Sequence, residues 1–157
     1  MKSRILLFII FILAMGCTSV EVCDDDYDSE LVARFKTRHE GAPADTTVSA
    51  LTIYGIREGL SDSLLYDSVS ASGFLVALDP HHYFSSFVLQ INGQADTLVI
   101  SYDLETYMIS YTCGFANLFT IDDNIEWNSD VIKSDTILKD MIDAEYEENE
   151  EHIWLYL

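Results

Sequence analysis

The chain has little positive charge and few prolines or glycines. Its 157 residues include 8 lysines and arginines against 27 aspartates and glutamates, for a formal net charge of −19. Such a surface repels phosphates, which excludes nucleic acids and disfavours anionic lipid headgroups as direct partners. The 2 prolines and 7 glycines form no linker rich in these residues. With no internal repeat either, the sequence predicts one domain of ordinary size.

Recognisable catalytic and metal-binding motifs are also absent from the sequence. It contains neither Gly-x-Ser-x-Gly nor Ser-x-x-Lys, and neither His-Glu-x-x-His nor the paired cysteines typical of zinc sites. His81 and His82 are adjacent, so on a strand they would point to opposite faces and could not easily share a metal. We place them in a loop after Asp79-Pro80. The sequence therefore predicts a protein that is not an enzyme and has no catalytic residue, metal ligand or cofactor.

The one long hydrophobic run is too short to span a membrane. Lys2 and Arg4 precede an apolar segment from Ile5 to Met15, whereas a spanning helix needs about 20 apolar residues. A basic start, a short apolar core and small residues at its end are typical of a secretory signal. Residues 1–16 are therefore predicted to be a signal peptide that is removed on export.

The end of this segment, Ala14-Met15-Gly16-Cys17, resembles the lipobox of bacterial lipoproteins. Leu13 stands one position early and Met15 is larger than the usual residue. The resemblance implies that Cys17 is acylated and becomes the mature N-terminus, which predicts a lipid anchor in the outer membrane, on its periplasmic or its surface face. Several acyl chains would anchor the protein in the membrane permanently, because each buried methylene contributes about 0.8 kcal/mol. An ordinary cleaved signal is the alternative.

The chain has 3 cysteines. Export leads to an oxidising compartment in which disulfides persist. Once Cys17 is assigned to lipid, Cys23 and Cys113 are the one pair left. A disulfide between them would stabilise the fold by about 4 to 5 kcal/mol in the loop-entropy account. Two unpaired thiols are the alternative.

Apolar and polar residues alternate in short runs, which predicts β-strands. In residues 31–38 the apolar odd positions are expected to face inward and the basic even positions, including Lys36, to face water. Gly41–Asp45 is expected to break this pattern. Asn92-Gly93 lies between two alternating runs and predicts a tight hairpin, because both residues readily adopt positive φ.

A further alternating run follows a turn expected at Asp103–Glu105. It predicts Tyr107, Tyr111 and Cys113 on the inward face of a strand. Tyr111, two residues before Cys113, resembles the tyrosine corner of immunoglobulin domains. However, Cys23 precedes the first strand, and no Trp lies between the two cysteines.

The end of the chain is less regular. Residues 131–144 fit a helix or strands equally well, and we favour strands; Ile153–Leu157 is expected to be a terminal strand. The predicted fold is all-β, an immunoglobulin-like antiparallel sandwich of about 7–9 strands. It would occupy residues 30–157, behind an acidic tether at 17–29.

Four blocks of sequence resemble a family of small uncharacterised lipoproteins of the Bacteroides group. They are Cys23 ahead of the first strand, Leu75–Pro80, Phe84–Ile91, and Ile109–Phe115 with its Cys-Gly-Phe. The resemblance covers nearly the whole mature chain. It implies the disulfide and the sandwich, and it implies no assigned activity.

The predicted function is that of a membrane-tethered, noncatalytic lipoprotein of the cell envelope, an accessory or protein-interaction module. Its partners would be the bilayer, through acylated Cys17, and another envelope protein. The alternative is a glycan- or cation-binding module. Asp24, Asp26 and Asp28 have the first three ligand spacings of a calcium loop, but Ser29 replaces the glycine of its sharp turn.

Aromatic residues are the basis of the glycan hypothesis. A solvent-facing group of them near His81 and His82 would favour glycan binding, whereas buried rings would remove its basis. Most are expected in the core or in cross-strand pairs. The residues in question are Tyr54, Tyr66, Tyr83, Phe84, Tyr107 and Trp154.

Overall fold

The computed structural model describes residues 29–157, apart from 58, 129 and 145–149. Every regular element in these ranges is a strand. In chain order they are β1 (Glu30–His39), β2 (Ala42–Asp45), β3 (Val48–Ile56), β4 (Ser63–Ala71), β5 (Gly73–Ala77), β6 (Phe84–Ile91), β7 (Gln94–Ser110), β8 (Gly114–Trp127), β9 (Ser134–Ile137), β10 (Met141–Ile142) and β11 (Ile153–Tyr156).

The strands form two sheets around one hydrophobic core. Sheet 1 has the order β2-β1-β11-β9, with β5 also on β1, and sheet 2 has the order β10-β8-β7-β6-β3-β4. Phe35 and Leu155 of sheet 1 and Leu51 and Leu98 of sheet 2 belong to a single cluster and are fully buried. Each such side chain stabilises the fold by about 1.5–3 kcal/mol. The predicted all-β sandwich is confirmed, with more strands than expected.

β1 is the centre of sheet 1. On one edge it pairs antiparallel with β5 along Glu30–Arg34 and with β2 along Lys36–His39. On the other edge it pairs with β11 along Ala33–Lys36, and this pairing is parallel rather than antiparallel as predicted. The inward-facing odd positions are buried as expected. Val32 and Lys36, at even positions, are buried as well, at 4% and 7% exposure.

Two tight turns use positive backbone φ angles. Asn92 and Gly93, at φ 51° and 87°, join β6 to β7 as the sequence predicted. Glu40 and Gly41, at 53° and 86°, join β1 to β2. The break expected at Gly41–Asp45 is instead this turn followed by a short edge strand. Pro43 is tolerated there because an edge strand has one side free of ladder hydrogen bonds.

β7 and β8 form a long hairpin that extends past the core. The turn expected at Asp103–Glu105 is wrong, because both residues are paired with β8, opposite Thr120 and Leu118. The chain turns instead at 111–113, where Tyr111 is 98% exposed.

This turn corrects two expectations about the same segment. Tyr111 and Cys113 do not lie on an inward strand face, and there is no tyrosine corner, since the ring of Tyr111 is in solvent. The alternation of residues 107–113 correctly indicated a strand. It carried no information about where the strand leaves the core.

The strands expected near the end of the chain are confirmed. β9 and β10 lie in the segment that also fitted a helix, and β11 is the expected terminal strand. In the described part of the chain, no helix is long and apolar enough to cross a membrane. Most of the predicted tether and the whole signal segment lie outside the described residues. Ser29, the last tether residue, is buried and its hydroxyl donates to the carbonyl of Asn117 at 2.5 Å.

Candidate functional site

A cleft of about 450 Å³ opens between the edges of the two sheets. β5 of sheet 1 forms one wall, and β3, β4 and β6 of sheet 2 form the other. Leu65 and Phe87 contribute to its apolar lining, and Arg57, Asp79 and His82 contribute charge and hydrogen-bonding groups. The cleft therefore combines apolar surface with a small polar cluster, which is the usual character of a binding site.

The polar cluster is arranged by the turn after β5. The Asp79 carboxylate accepts a hydrogen bond from the His81 backbone N–H at 2.9 Å, an Asx turn of the kind that aspartate favours. The turn brings His82 back over the same carboxylate, with Nδ1 3.2 Å from Oδ2. The sequence predicted a loop for both histidines, and this is confirmed. It did not predict the contact between Asp79 and His82.

Asp79 is held in its ionised form by these neighbours. Partial burial acts to raise its pKa, but the hydrogen bonds from His81 and His82 and the nearby Arg57 outweigh burial and lower the pKa below 3.8. Arg57 Nε lies 3.8 Å from Oδ2 and its side chain is 59% exposed. The cluster thus presents Arg57 and His82 to the cleft around a fixed negative centre.

The loop is fastened to sheet 2 by two hydroxyl groups. Ser85 Oγ accepts from the Asp79 backbone N–H at 2.9 Å, and the Tyr102 hydroxyl donates to the Asp79 carbonyl at 2.9 Å. The two hydroxyls are 2.8 Å apart, so Ser85 donates its proton to Tyr102. Burial is the main reason that the pKa of Tyr102 is raised above 10.0. Ser85 therefore fixes the position of the loop, and its hydroxyl proton is already engaged in the hydrogen bond to Tyr102.

Two exposed aromatic rings lie beside the histidine loop, and one of them, Phe84, also lines the cleft. Tyr83 is 71% exposed and Phe84 is 47% exposed, and the rings of Phe84 and His82 lie 6.0 Å apart. Tyr66, by contrast, is partly buried, and its hydroxyl bonds the backbone of Leu75. Some of the aromatic residues of the glycan hypothesis are thus in solvent beside the histidine loop, and others are structural.

The segment that carries the cleft turn also matches a known family model. Residues 50–157 match a family of unknown function, DUF6452. The chain belongs to this family. The match includes β3 to β11 almost completely, whereas β1 and β2 precede it. Neither the curated proteins nor the solved structures include a significant match to this chain.

One wall of the cleft in this DUF6452 chain is an exposed edge strand. β4 is last in the order of sheet 2 and pairs with β3. Leu64, Leu65 and Val69 are 53%, 46% and 40% exposed, and Leu60 just before the strand is 66% exposed. Ser68, at φ 51°, lies where the register with β3 shifts. An edge with this much apolar surface is a template for pairing with another strand.

A second charged cluster covers the outer face of sheet 1. Lys36 Nζ lies 2.5 Å from Asp45 Oδ1, 3.9 Å from Glu151 Oε2 and 4.4 Å from the ring centroid of Trp154. Trp154 Nε1 donates to Glu151 at 2.6 Å. The hydrogen bond and charge of Lys36 lower the pKa of Asp45. The expectation that Lys36 faces water is wrong, because Trp154 of the parallel neighbour β11 lies over it.

The predicted covalent sites are only partly within the described residues. Cys17, Cys23 and the acidic run Asp24–Asp28 lie outside them. Cys113 is half-buried in the turn of the β7–β8 hairpin, and its pairing with Cys23 stays a prediction. Within the described ranges, no group of three or more His, Cys, Asp or Glu residues is placed to hold a metal ion.

Sequence reasoning missed one important polar residue, Asp96. It is 1% exposed, and its carboxylate accepts hydrogen bonds from the backbone N–H groups of Asn128, Val131 and Ile132 at 2.8 to 3.0 Å. A signal was present, since Asp96 has the same strand parity as the inward-facing Leu98. An acid at an inward position indicates a buried carboxylate with fixed partners.

Proposed function

We propose that this DUF6452 protein is a lipid-anchored, noncatalytic module of the cell envelope that binds another envelope protein beside its cleft. The observation that carries the proposal is the exposed apolar edge of β4. Among the described residues β4 pairs on one side only, with β3, so its other side can offer backbone hydrogen bonds to an extended segment, and Leu64 and Leu65 offer apolar contacts. Addition of a strand to such an edge is a recurring mode of peptide recognition.

The charge around this edge indicates which partner fits. Asp62 and Asp67 flank the exposed leucines and are themselves exposed, in a chain of net charge −19. Basic residues in the partner would therefore speed association and help to fix its register. The partner we propose is an extended protein segment with apolar residues and flanking lysine or arginine.

The lipobox-like end of the signal segment supports the anchor. It implies acylation of Cys17 and attachment to the outer membrane, on either its periplasmic or its surface face. Replacing Cys17 with Ala is expected to abolish fatty-acid labelling and release the protein from the membrane fraction. A Cys17→Ala protein that still carries the label would contradict the anchor.

The interaction surface is tested by site-specific photo-crosslinking in cells. A photoreactive amino acid in place of Leu64 is expected to form an adduct with one envelope protein. The same amino acid in place of Gln94, which is exposed at the start of β7, is the matched control and should give no such adduct. Identical adducts at both positions, or none at Leu64, would refute β4 as the binding edge.

A second candidate function is glycan binding, and the exposed rings of Tyr83 and Phe84 favour it. Aromatic faces stack on apolar sugar faces, while Arg57 and His82 could donate hydrogen bonds to hydroxyl or carboxyl groups. Titration calorimetry with envelope oligosaccharides tests this function. Phe84→Ala, in the lining of the cleft, should weaken binding at least about tenfold, or 1.4 kcal/mol, while Tyr54→Ala, a control outside the cleft, should not. Absence of saturable binding would eliminate this function.

A further inference from the structure

We propose that the tip of the β7–β8 hairpin, residues 106–117, rests in the interfacial layer of the bilayer to which the protein is anchored. This proposal depends on the lipid anchor proposed above. It assigns to the tip a second, noncovalent contact with the membrane, which would fix the orientation of the sandwich. Three independent features of the tip lead to it.

The first feature is an apolar pair that is separated from the core. Phe119, at 2% exposure, belongs to the core. The next rung on the same hairpin face is Thr106–Asn117, whose side chains are hydrogen-bonded at 3.1 Å. Beyond it, Met108 and Phe115 pair at 48% and 70% exposure. A polar rung followed by an exposed apolar rung means that the outer pair does not serve the core.

The second feature is the composition of the tip. Tyr111 is 98% exposed and Tyr107 is 37% exposed. Residues 106–117 contain no charged side chain, although 22% of the chain is charged. Tyrosine, phenylalanine and methionine without charge suit the membrane interface, where an aromatic ring keeps one apolar side and one hydrated end.

The third feature is the position of Ser29. The described chain begins at Ser29, which is bonded to Asn117 at the base of the tip. Residues 17–28 can span at most roughly 40 Å when fully extended, so acylated Cys17 would keep the base of the tip within that distance of the bilayer. A Cys23–Cys113 disulfide would shorten this span to roughly 20 Å.

A lipid surface fits the tip better than a second copy of the chain. Two copies would each bring a net charge of −19 into one contact, and like charges repel. Against zwitterionic lipid no such repulsion arises, and the uncharged tip is the part of the hairpin that would approach the headgroups. The acid nearest to the tip on β7 is Glu105, which pairs with Leu118 below the polar rung.

The test places a fluorescent reporter at the tip of the acylated protein. Tyr111→Trp protein is reconstituted in phosphatidylcholine vesicles with or without brominated acyl chains. We expect the brominated lipid to quench about half of the added emission, because interfacial side chains lie about 5–10 Å into the headgroup boundary. Tyr83→Trp is the matched control, since Tyr83 is also exposed, at 71%, and should not be quenched.

A second arm separates failure of the tip from failure of the anchor. The mature chain with a histidine tag in place of the acyl group is held on vesicles by nickel-chelating lipid. Quenching at Tyr111→Trp in this arm supports the tip contact even if Cys17 proves not to be acylated. Flotation with the vesicles but no quenching at Tyr111→Trp in either arm would overturn the proposal. A soluble dimer that Tyr111→Ser dissociates, again without quenching, would reassign the tip to self-association.

Discussion

The two sheets of the sandwich use their outer surfaces differently. On the outer face of sheet 1, Trp154 contacts Lys36 through its ring and donates a hydrogen bond to Glu151. The central strand β1 of this sheet is paired along both edges. Sheet 2 ends in the exposed strand β4 and extends into the uncharged hairpin tip. Polar residues of sheet 1 therefore stabilise the fold, whereas sheet 2 leaves apolar residues in solvent.

This difference indicates where binding surfaces are to be sought in this chain. Exposed apolar residues that do not contribute to the core are retained at a cost in solubility, and they cluster at interaction sites. In this chain such residues lie on β4 and at the hairpin tip, both in sheet 2. Substitutions of these exposed apolar residues and of the buried polar residues should therefore separate effects on binding from effects on stability.

The largest effect is expected at Asp96, which connects sheet 2 to the loop leading into β9. Asp96→Ala would leave three backbone N–H groups without their acceptor, and a buried one such as that of Ile132 costs about 1–3 kcal/mol. We expect a loss of about 3 kcal/mol or more in urea unfolding. Asp103→Ala, an exposed acid in the same strand, should change stability by less than about 0.5 kcal/mol. Equal losses would contradict a structural role of Asp96.

A smaller effect is expected at Lys36, in the covered face of sheet 1. Lys36→Ala should destabilise the protein by about 1–2 kcal/mol, less than the loss of a fully buried pair, because Glu151 keeps 29% exposure. Lys36→Met retains packing on Trp154 and should cost less. Lys133→Ala, on an exposed lysine, is the control. If all three variants unfold at the same urea concentration, the outer face of sheet 1 does not contribute to stability.

Acid should weaken the packing of β1 against the end of the chain through His152. Burial is the main cause that lowers the pKa of His152 below 6.5. Its Nδ1 accepts from the Val32 backbone N–H at 2.9 Å, which requires the ring to be neutral. Because His152 takes up a proton at a higher pH in the unfolded chain than in the folded protein, the stabilisation from the neutral ring is fully present above pH 6.5. It decreases as the pH falls.

Thermal unfolding between pH 7.5 and 5 measures this dependence. The wild-type midpoint should fall over this range, and His152→Asn, which keeps an acceptor and does not titrate, should show a flatter profile. His81→Asn, in the exposed loop, should keep the wild-type slope. A slope unchanged by His152→Asn would assign the pH dependence to other groups.

The smallest effect on stability is expected at the hairpin tip. Tyr111→Ser removes a ring that is 98% exposed, and the free energy of unfolding should change by less than about 0.5 kcal/mol. The same variant should lose contact with the bilayer. At the hairpin tip, therefore, a substitution should affect binding and leave stability unchanged. A marked loss of stability in urea unfolding would mean that Tyr111 packs against the fold.

Local sequence signals were sufficient for most strands of the sandwich. Asn92-Gly93 was identified because its turn type needs positive φ, and β11 because its apolar run is short and isolated. Alternation could not identify the partner of a strand, so the parallel pairing of β1 with β11 was missed. The burial of Lys36 was missed for the same reason. The ring of Trp154 lies against it, and Trp154 is more than a hundred positions away in the sequence.

The candidate site was only partly accessible to sequence reasoning. The exposed position of the histidine loop followed from Asp79-Pro80. The cleft itself is formed by β5 and β4, which belong to different sheets. No local sequence pattern predicts that these two strands lie next to each other. The exposure of Tyr111 depended on the length of the β7–β8 hairpin relative to the core, which periodicity does not report.

The parallel pairing of β1 with β11 also affects when the protein can fold. Residues 33–36 of the central strand bond residues 153–156, and β9 joins sheet 1 through β11. Pairing across such a sequence separation closes a long loop, which slows folding. Sheet 1 therefore cannot be completed until residue 156 has left the ribosome.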